Sequence, residues 1–395
     1  MADTCFWHDE VACIETCLEI NNAIPSSGPF IQRIELTGPG GIDGFGDYVA
    51  IDAETAMISY IDLGGSGRYE VVVYALDEGT WTEGQNLAES QELKVRQVIG
   101  DLAVMTTWDG VDTGGVYVYQ RSGATWSQLQ KIDLPNPDPD YIYADFAAMS
   151  PDGQWLAIGA RNQTDVVTSP GYVVMYEWGG SSFVYSSVVQ SPSAPGFYAS
   201  FGIAISLSST GVMAIGASTS GVSGTNDGQA YIYEVTGSTW NLDQTIPPYV
   251  NESSTRFGET IGITADASRL VVGDRRNSAT VYDFGGSYGY VARLDPGSVS
   301  SGDVSISDDG LTITQITNVF GVDGTIHINE LDGTWGTPQS FSPAHPDLAT
   351  VWVGINDTHL RDGNLIIGCD KKHSGDGLPD GRGYVYIYSR DPIDP

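Results

Sequence analysis

The chain has 395 residues, with 17 Lys and Arg against 50 Asp and Glu, and a formal net charge of −33. A surface so poor in bases excludes a nucleic-acid binder held by a basic groove and disfavours attachment to an anionic membrane. Only 17% of residues are charged and 41% are hydrophobic, which excludes a disordered chain and leaves room for one large β architecture or two ordinary domains.

Residues 1–29 read as an arm. Val11, Ile14 and Leu18 are three and four apart, which puts them on one face of a short helix. Pro25-Ser26-Ser27-Gly28-Pro29 reads as a hinge. A helix this short cannot bury its own apolar stripe, so the arm is expected to dock on the rest of the chain, on copies of itself or on another protein. Cys5, His8, Cys13 and Cys17 are ligand types that suit zinc, although their spacing matches no familiar finger. A disulfide, or simple packing of small apolar side chains, competes with that reading. The first residues show neither the basic nor the apolar region of a signal peptide, and no apolar run is long enough to cross a membrane.

From residue 30 onward a repeat organises the chain. An aromatic residue followed six positions later by an apolar one recurs as Phe30/Leu36, Trp81/Leu87, Trp126/Ile132, Phe183/Val189, Trp240/Ile246, Tyr288/Leu294 and Trp335/Phe341, at intervals of 45–57 residues. Between these marks lie short β-branched and aromatic segments bounded by Gly, Asp or Ser, such as Val212 to Ala217 and Gln229 to Tyr233. That is strand chemistry. Apolar runs such as Leu365-Ile366-Ile367-Gly368 imply strands buried on both faces. Four strands per unit and seven units predict an all-β fold, a seven-bladed β-propeller of four-stranded antiparallel blades over residues 30–390, with 391–395 as a tail. The last unit ends at Tyr384 to Tyr388 without an aromatic-led outer strand, and the first aromatic-led strand has no inner strands before it. Residues 30–37 are therefore expected to complete the seventh blade beside residues 351–388, closing the ring and shielding its edges.

Phe201-Gly202 followed by Ile215-Gly216-Ala217, and Phe257-Gly258 followed by Val272-Gly273-Asp274, resemble the FG-GAP repeat of propellers related to the integrin α-subunit head. Phe45-Gly46 matches the first half only. The resemblance implies the propeller fold and little about activity, since that fold hosts many chemistries. Repeats of this family often hold calcium in an Asp-rich loop, where several oxygen ligands must alternate along the chain. Here the corresponding connections, Ser150-Pro151-Asp152-Gly153, Ser208-Ser209-Thr210-Gly211 and Ser307-Asp308-Asp309-Gly310, read as plain β-turns, so that metal is not carried over. Two longer acidic loops, Asp133 to Asp145 and the one holding Asp370, Asp376 and Asp380, are weak calcium candidates. No cofactor is expected.

Arg161, Arg275-Arg276 and Lys371-Lys372 follow the same buried strand in three units. They are expected to gather on one propeller face, where an anionic sugar or acidic partner would be held. The competing reading is that they soften repulsion among carboxylates. The five histidines form no metal pair at helical spacing and no Gly-x-Ser-x-Gly occurs. Composition, arm and missing motifs together predict a noncatalytic structural or adhesion module on an extracellular assembly, such as a virion surface or tail, anchored through self-association or a protein partner of residues 1–21. The runner-up is a propeller enzyme or lectin acting on a polysaccharide, with a glycan on a propeller face. Neither a nucleic-acid partner nor membrane insertion is expected.

Overall fold

The computed structural model describes residues 32–389 apart from 38–41, 44, 63–66, 90–91, 108–114, 134–140, 163–170, 193–198, 220–226, 250–254, 276–277, 297–302, 318–323, 336, 342–351, 362–363 and 373–383. Among the described residues there are strands and turns and no helix. Seven antiparallel sheets follow one another around a ring. Blade 4 is typical: inner strand Phe201–Leu207, then Val212–Ala217, Gln229–Thr236 and outer strand Thr239–Ile246, paired in that order. The seventh blade is assembled from both ends of the chain. Gln32–Thr37 pairs antiparallel with Tyr384–Ser389, with Ile34 opposite Ile387, outside Asn364–Lys372 and Trp352–Arg361. The expected ring closure is what the structure shows. The predicted arm, with Val11, Ile14, Leu18, Cys5, His8, Cys13 and Cys17, lies outside the described residues.

The six-residue spacing of aromatic and apolar marks has a physical origin. Without interruption, residues six apart on a strand share a face. Each outer strand of blades 2 to 5 carries a bulge, for example between Leu242 and Gln244, and the extra residue reverses the parity. Trp240 therefore packs into the core between blades 3 and 4, with Trp155 and Tyr233, while Ile246 packs into the core between blades 4 and 5, with Ala230 and Ile232. Phe183 and Val189 divide in the same way, as do Trp126 and Ile132. Among the described residues the buried apolar side chains form seven clusters, each built from two neighbouring blades. One outer strand thus anchors its blade in both flanking cores.

Two further contacts repeat around the ring. Gly216 faces the next blade so closely that a Cβ there would collide with the carbonyl oxygen of Gly258, which itself has φ +87°. Gly159 meets Gly202 and Gly368 meets Gly46 in the same manner. The two halves of the glycine motif read from sequence therefore belong to one contact, made between consecutive blades. At the rim, Gln85, Gln130 and Gln244 each use a side-chain amide to pair with both the N–H and the C=O of the next blade's aromatic, Trp126, Phe183 and Tyr288, at 2.8–2.9 Å.

We predict that Gly216→Ala costs about 3 kcal/mol or more, because a rigid backbone oxygen leaves a methyl nowhere to go. Gly237→Ala is the control, since Gly237 also has positive φ but open space around it; left-handed strain alone costs about 1 kcal/mol. Urea unfolding of the two variants, compared with the parent, measures the difference.

Candidate functional site: the central channel

Each inner strand turns tightly into its second strand, so equivalent residues can be matched around the ring. Met149, Leu207, Ile263 and Leu360 pair with Leu156, Met213, Leu270 and Leu365. The residue just before each of these sits on the opposite side of the strand. These residues, Ala148, Ser206, Gly262 and His359, line a central cavity of about 530 Å³ together with Gln97 and Ser305 from the inner strands of blades 2 and 6. Where the inner strands begin, the cavity is lined by Asp47, Tyr48, Arg96, Phe146, Glu259, Thr260 and Asp303; near the turns it meets Pro151, Asp308 and Arg361.

Part of this polar lining is engaged in holding the ring. Gln97 Oε1 accepts the Met149 N–H at 2.6 Å and Ser206 Oγ accepts the Ile263 N–H at 3.1 Å, each bond crossing to the next blade. At the mouth, Arg96 Nε donates to Thr106 Oγ1 at 2.9 Å, which holds the guanidinium 4.7 Å from the Tyr48 ring centre and 5.8 Å from that of Phe146. Lys94 stands 5.2 Å from the Tyr69 ring and 3.2 Å from Glu92. Tyr69 donates its hydroxyl to Asp47; burial first, and then the Asp47 carboxylate, raise that phenol far above its ordinary range. Glu259 is 3.5 Å from Arg256.

The two described histidines differ in kind. His327 is buried at a blade interior with both ring nitrogens occupied, by Thr317 Oγ1 at 3.0 Å and Ser340 Oγ at 2.7 Å. It is a satisfied structural residue. His359 has no hydrogen-bond partner among the described residues and keeps part of its surface open to the cavity. Its depth in the channel pushes its pKa down to about 4, and the Arg361 and Arg96 guanidiniums push the same way. At neutral pH it is therefore an uncharged imidazole, able to take up a proton, beside two fixed positive charges. The two guanidiniums share the cavity with the carboxylates of Asp47, Glu259, Asp303 and Asp308.

None of Tyr48, Arg96, His359 and Arg361 was singled out by the sequence. The available signal was a polar residue one step before the inner-strand turn, seen in Gln97, Ser206, Ser305 and His359. Of the bases that were singled out, Arg161 lies opposite Ile142, and Lys371 and Lys372 lie opposite Val353 and Trp352, at the ends of second strands, while Arg275 is exposed just past Arg269–Gly273. This is the end of the blades at which the inner strands begin. Asp370 lies opposite Gly354, and Arg276, Asp376 and Asp380 lie outside the described residues. Among the described residues no group of three His, Cys, Asp or Glu side chains is arranged to hold a metal ion. No helix there is long and apolar enough to cross a membrane.

No family model matches the chain, and no curated protein matches it. Among solved structures, the periplasmic gluconolactonase PpgL of Pseudomonas aeruginosa is similar, with 16% identity and a TM-score of 0.52 over 75% of this chain and 85% of that one. The comparison supports the propeller fold, and no family match accompanies the FG-GAP resemblance. It also corrects the expectation of a noncatalytic structural, adhesion or virion module. That expectation rested on missing catalytic motifs, and the similar structure is a propeller named as an enzyme. In a propeller, a site assembled from single residues on separate inner strands leaves no local motif to find.

The depressed pKa of His359 has a consequence for stability. The unfolded chain protonates this histidine near pH 6.5 and the folded chain only near 4. Its contribution is neutral above pH 6.5 and becomes destabilising as pH falls from 6.5 towards 4. We expect imidazole NMR to place its titration near pH 4, and His359→Asn to recover up to about 3 kcal/mol of the stability lost between pH 7 and pH 4.

Proposed function

We propose that this protein is a propeller hydrolase whose active site is the central channel, acting on a small sugar-derived lactone or ester. The observation that carries the reading is His359: uncharged, without a partner among the described residues, open to a cavity of about 530 Å³ and flanked by Arg96 and Arg361. A cavity of this size suits a monosaccharide-sized molecule rather than a stretch of polymer. That narrows the polysaccharide alternative to a small sugar derivative. The activity named for the similar structure supports the lactone as first substrate to try. The Phe-Gly and Gly-Ala contacts between blades support reading the repeat itself as FG-GAP type.

In the proposed reaction the sugar ring packs against Tyr48 and Phe146, and its carbonyl oxygen points to the guanidiniums. His359 accepts a proton from water as the water oxygen bonds to the carbonyl carbon. The negative charge moves to the carbonyl oxygen, where Arg96 and Arg361 stabilise it. When the tetrahedral intermediate collapses, the ring C–O bond breaks and the leaving alkoxide takes the proton back from His359. The products are a hydroxyl and a carboxylic acid that releases its proton to solvent as it ionises, so water has been added and the histidine is regenerated. A base with a pKa near 4 is weak in the empty channel. The developing oxyanion offsets the two guanidiniums and raises the affinity of His359 for the proton when it is needed.

The test is pH-stat hydrolysis of a panel of aldonolactones, with the spontaneous rate subtracted. We expect His359→Asn to lower kcat/KM by about 10²–10⁴-fold. We expect the acid limb of the parent's kcat/KM profile to lie near pH 4 and to move upward in Arg361→Gln, because removing a positive neighbour raises the histidine pKa. Parent hydrolysis no faster than the spontaneous rate across the panel, or an His359→Asn variant as fast as the parent, would overturn the assignment.

A further inference from the structure

On the rim of blades 1 to 5, a tyrosine of the third strand lies buried beneath one residue of the outer strand. The pairs are Tyr74 under Glu83, Tyr119 opposite Gln128, Tyr176 under Tyr185, Tyr233 under Leu242 and Tyr282 under Tyr290. The buried member stays constant, because it belongs to the inter-blade core. The outward member changes. In blades 1 and 2 it is charged or amide, whereas in blades 3, 4 and 5 it is Tyr185, Leu242 and Tyr290, exposed to 52%, 43% and 44%. Glu83 and Gln128 show that the fold does not need an apolar group there, so the three consecutive apolar residues call for another reason.

Blade 5 supplies a geometry that points to a ligand. Tyr249 follows Pro247-Pro248 on the way out of blade 4 and lies flat on Tyr290, with ring centres 3.9 Å apart and planes 6° apart, although it is 57% exposed. Tyr290 is held from below by the edge of Tyr282 at 6.4 Å, as Tyr185 is held by Tyr176 at 6.1 Å. These are fixed, solvent-facing aromatic surfaces on blades 3 and 5, set at equivalent points of a repeat on either side of Leu242. Between them lie exposed hydroxyl and amide groups, including Asn241, Thr245 and Ser186, the last reaching from blade 3 to the Ser238 carbonyl of blade 4 at 3.5 Å. Beside the pair, Arg293 turns inward to Ser278 at 2.9 Å and Asp274 at 3.7 Å.

We propose that the rim of blades 3 to 5 binds an uncharged polysaccharide, laid along the blades with sugar rings on the Tyr249–Tyr290 pair and on Tyr185. Pyranose rings present flat C–H faces to aromatic rings and hydroxyls at their edges, which is the alternation this surface offers. A periodic polymer suits a periodic surface. The net charge of −33 and the inward-facing Arg293 select against acidic polymers. A protein partner would favour a contiguous dry apolar patch; here exposed Val184, Val188 and Val291 add apolar area beside the tyrosines, but Asn241, Asp243 and Thr245 on blade 4 interrupt it. This inference stands on the rim alone and survives or fails independently of the channel reading.

The test is affinity electrophoresis of the full chain in gels containing hydroxyethylcellulose, laminarin, galactomannan or dextran. We expect retardation of the parent in at least one of them. In the same gel Tyr249→Ala combined with Tyr290→Gln is expected to weaken binding about tenfold or more, with an unchanged melting temperature, since Gln128 shows that an amide is accepted at that position. The channel variant His359→Asn should be retarded like the parent. A parent that no gel retards, equal retardation of parent and rim variant, or a rim that binds only another protein would each overturn the proposal.

Discussion

At three seams of the ring, between blades 3 and 4, 4 and 5, and 7 and 1, the sheets approach to backbone contact, and the Gly216–Gly258 meeting is where the second of these is made. A methyl group on Gly216 would meet a carbonyl oxygen with no side chain to turn aside, and the Gly159–Gly202 and Gly368–Gly46 contacts repeat the constraint. At these seams glycine backbones set the spacing of neighbouring sheets, and the Gln97 and Ser206 bonds to the following blade tie inner strands at the blade 2–3 and 4–5 seams. Farther out register is kept by different means: bulged outer strands that send Trp240 and Ile246 into opposite cores, and glutamine amides that clamp the next blade's aromatic. Backbone contact inside, apolar packing at mid-radius and amide pairing at the rim act on the same seam. Loss of one is felt by all three.

A rigid register makes position equivalent to radius, and that explains what the sequence could and could not disclose. The outer-strand aromatic and its apolar partner six residues on are needed in almost every blade, so they recur, and recurrence is visible in one sequence. Ring closure by Gln32–Thr37 followed from the same bookkeeping, because a unit lacking its outer strand and a strand lacking its unit complete each other. His359, Arg96 and Arg361 are legible only against that frame. Each occurs once, on an inner strand whose counterparts carry other residues, with Gly262 and Ala148 at the position of His359. Chemistry built from departures from a repeat cannot be found by searching for the repeat. The bases that sequence did pick out were found by their regular placement, at the ends of second strands.

The electrostatics of the channel follow from its depth rather than from the charge of the whole. A chain of −33 surrounds every surface group with carboxylates, which would hold an exposed histidine protonated above its ordinary pKa. His359 goes the other way, because burial removes the water that would stabilise its cation, and the Arg361 and Arg96 guanidiniums push in the same direction. Within a few ångströms of the axis, local geometry therefore outweighs the global field, as it must where solvent screening is replaced by packed inner strands.

The same logic applies at the opposite radius, where the rim is fully solvated and the fold demands least. Glu83 and Gln128 show what the outward position becomes when only solubility acts on it. Tyr185, Leu242 and Tyr290 occupy that position in the next three blades, at a cost in exposed apolar area that a strongly acidic protein has every means to avoid. Both candidate sites are thus marked in the same way. Each is a place where equivalent positions of a repeat stop being equivalent in residue type although the backbone around them is unchanged. In a propeller, whose blades are structurally interchangeable, such asymmetry is the trace that a ligand touching some blades and not others would leave.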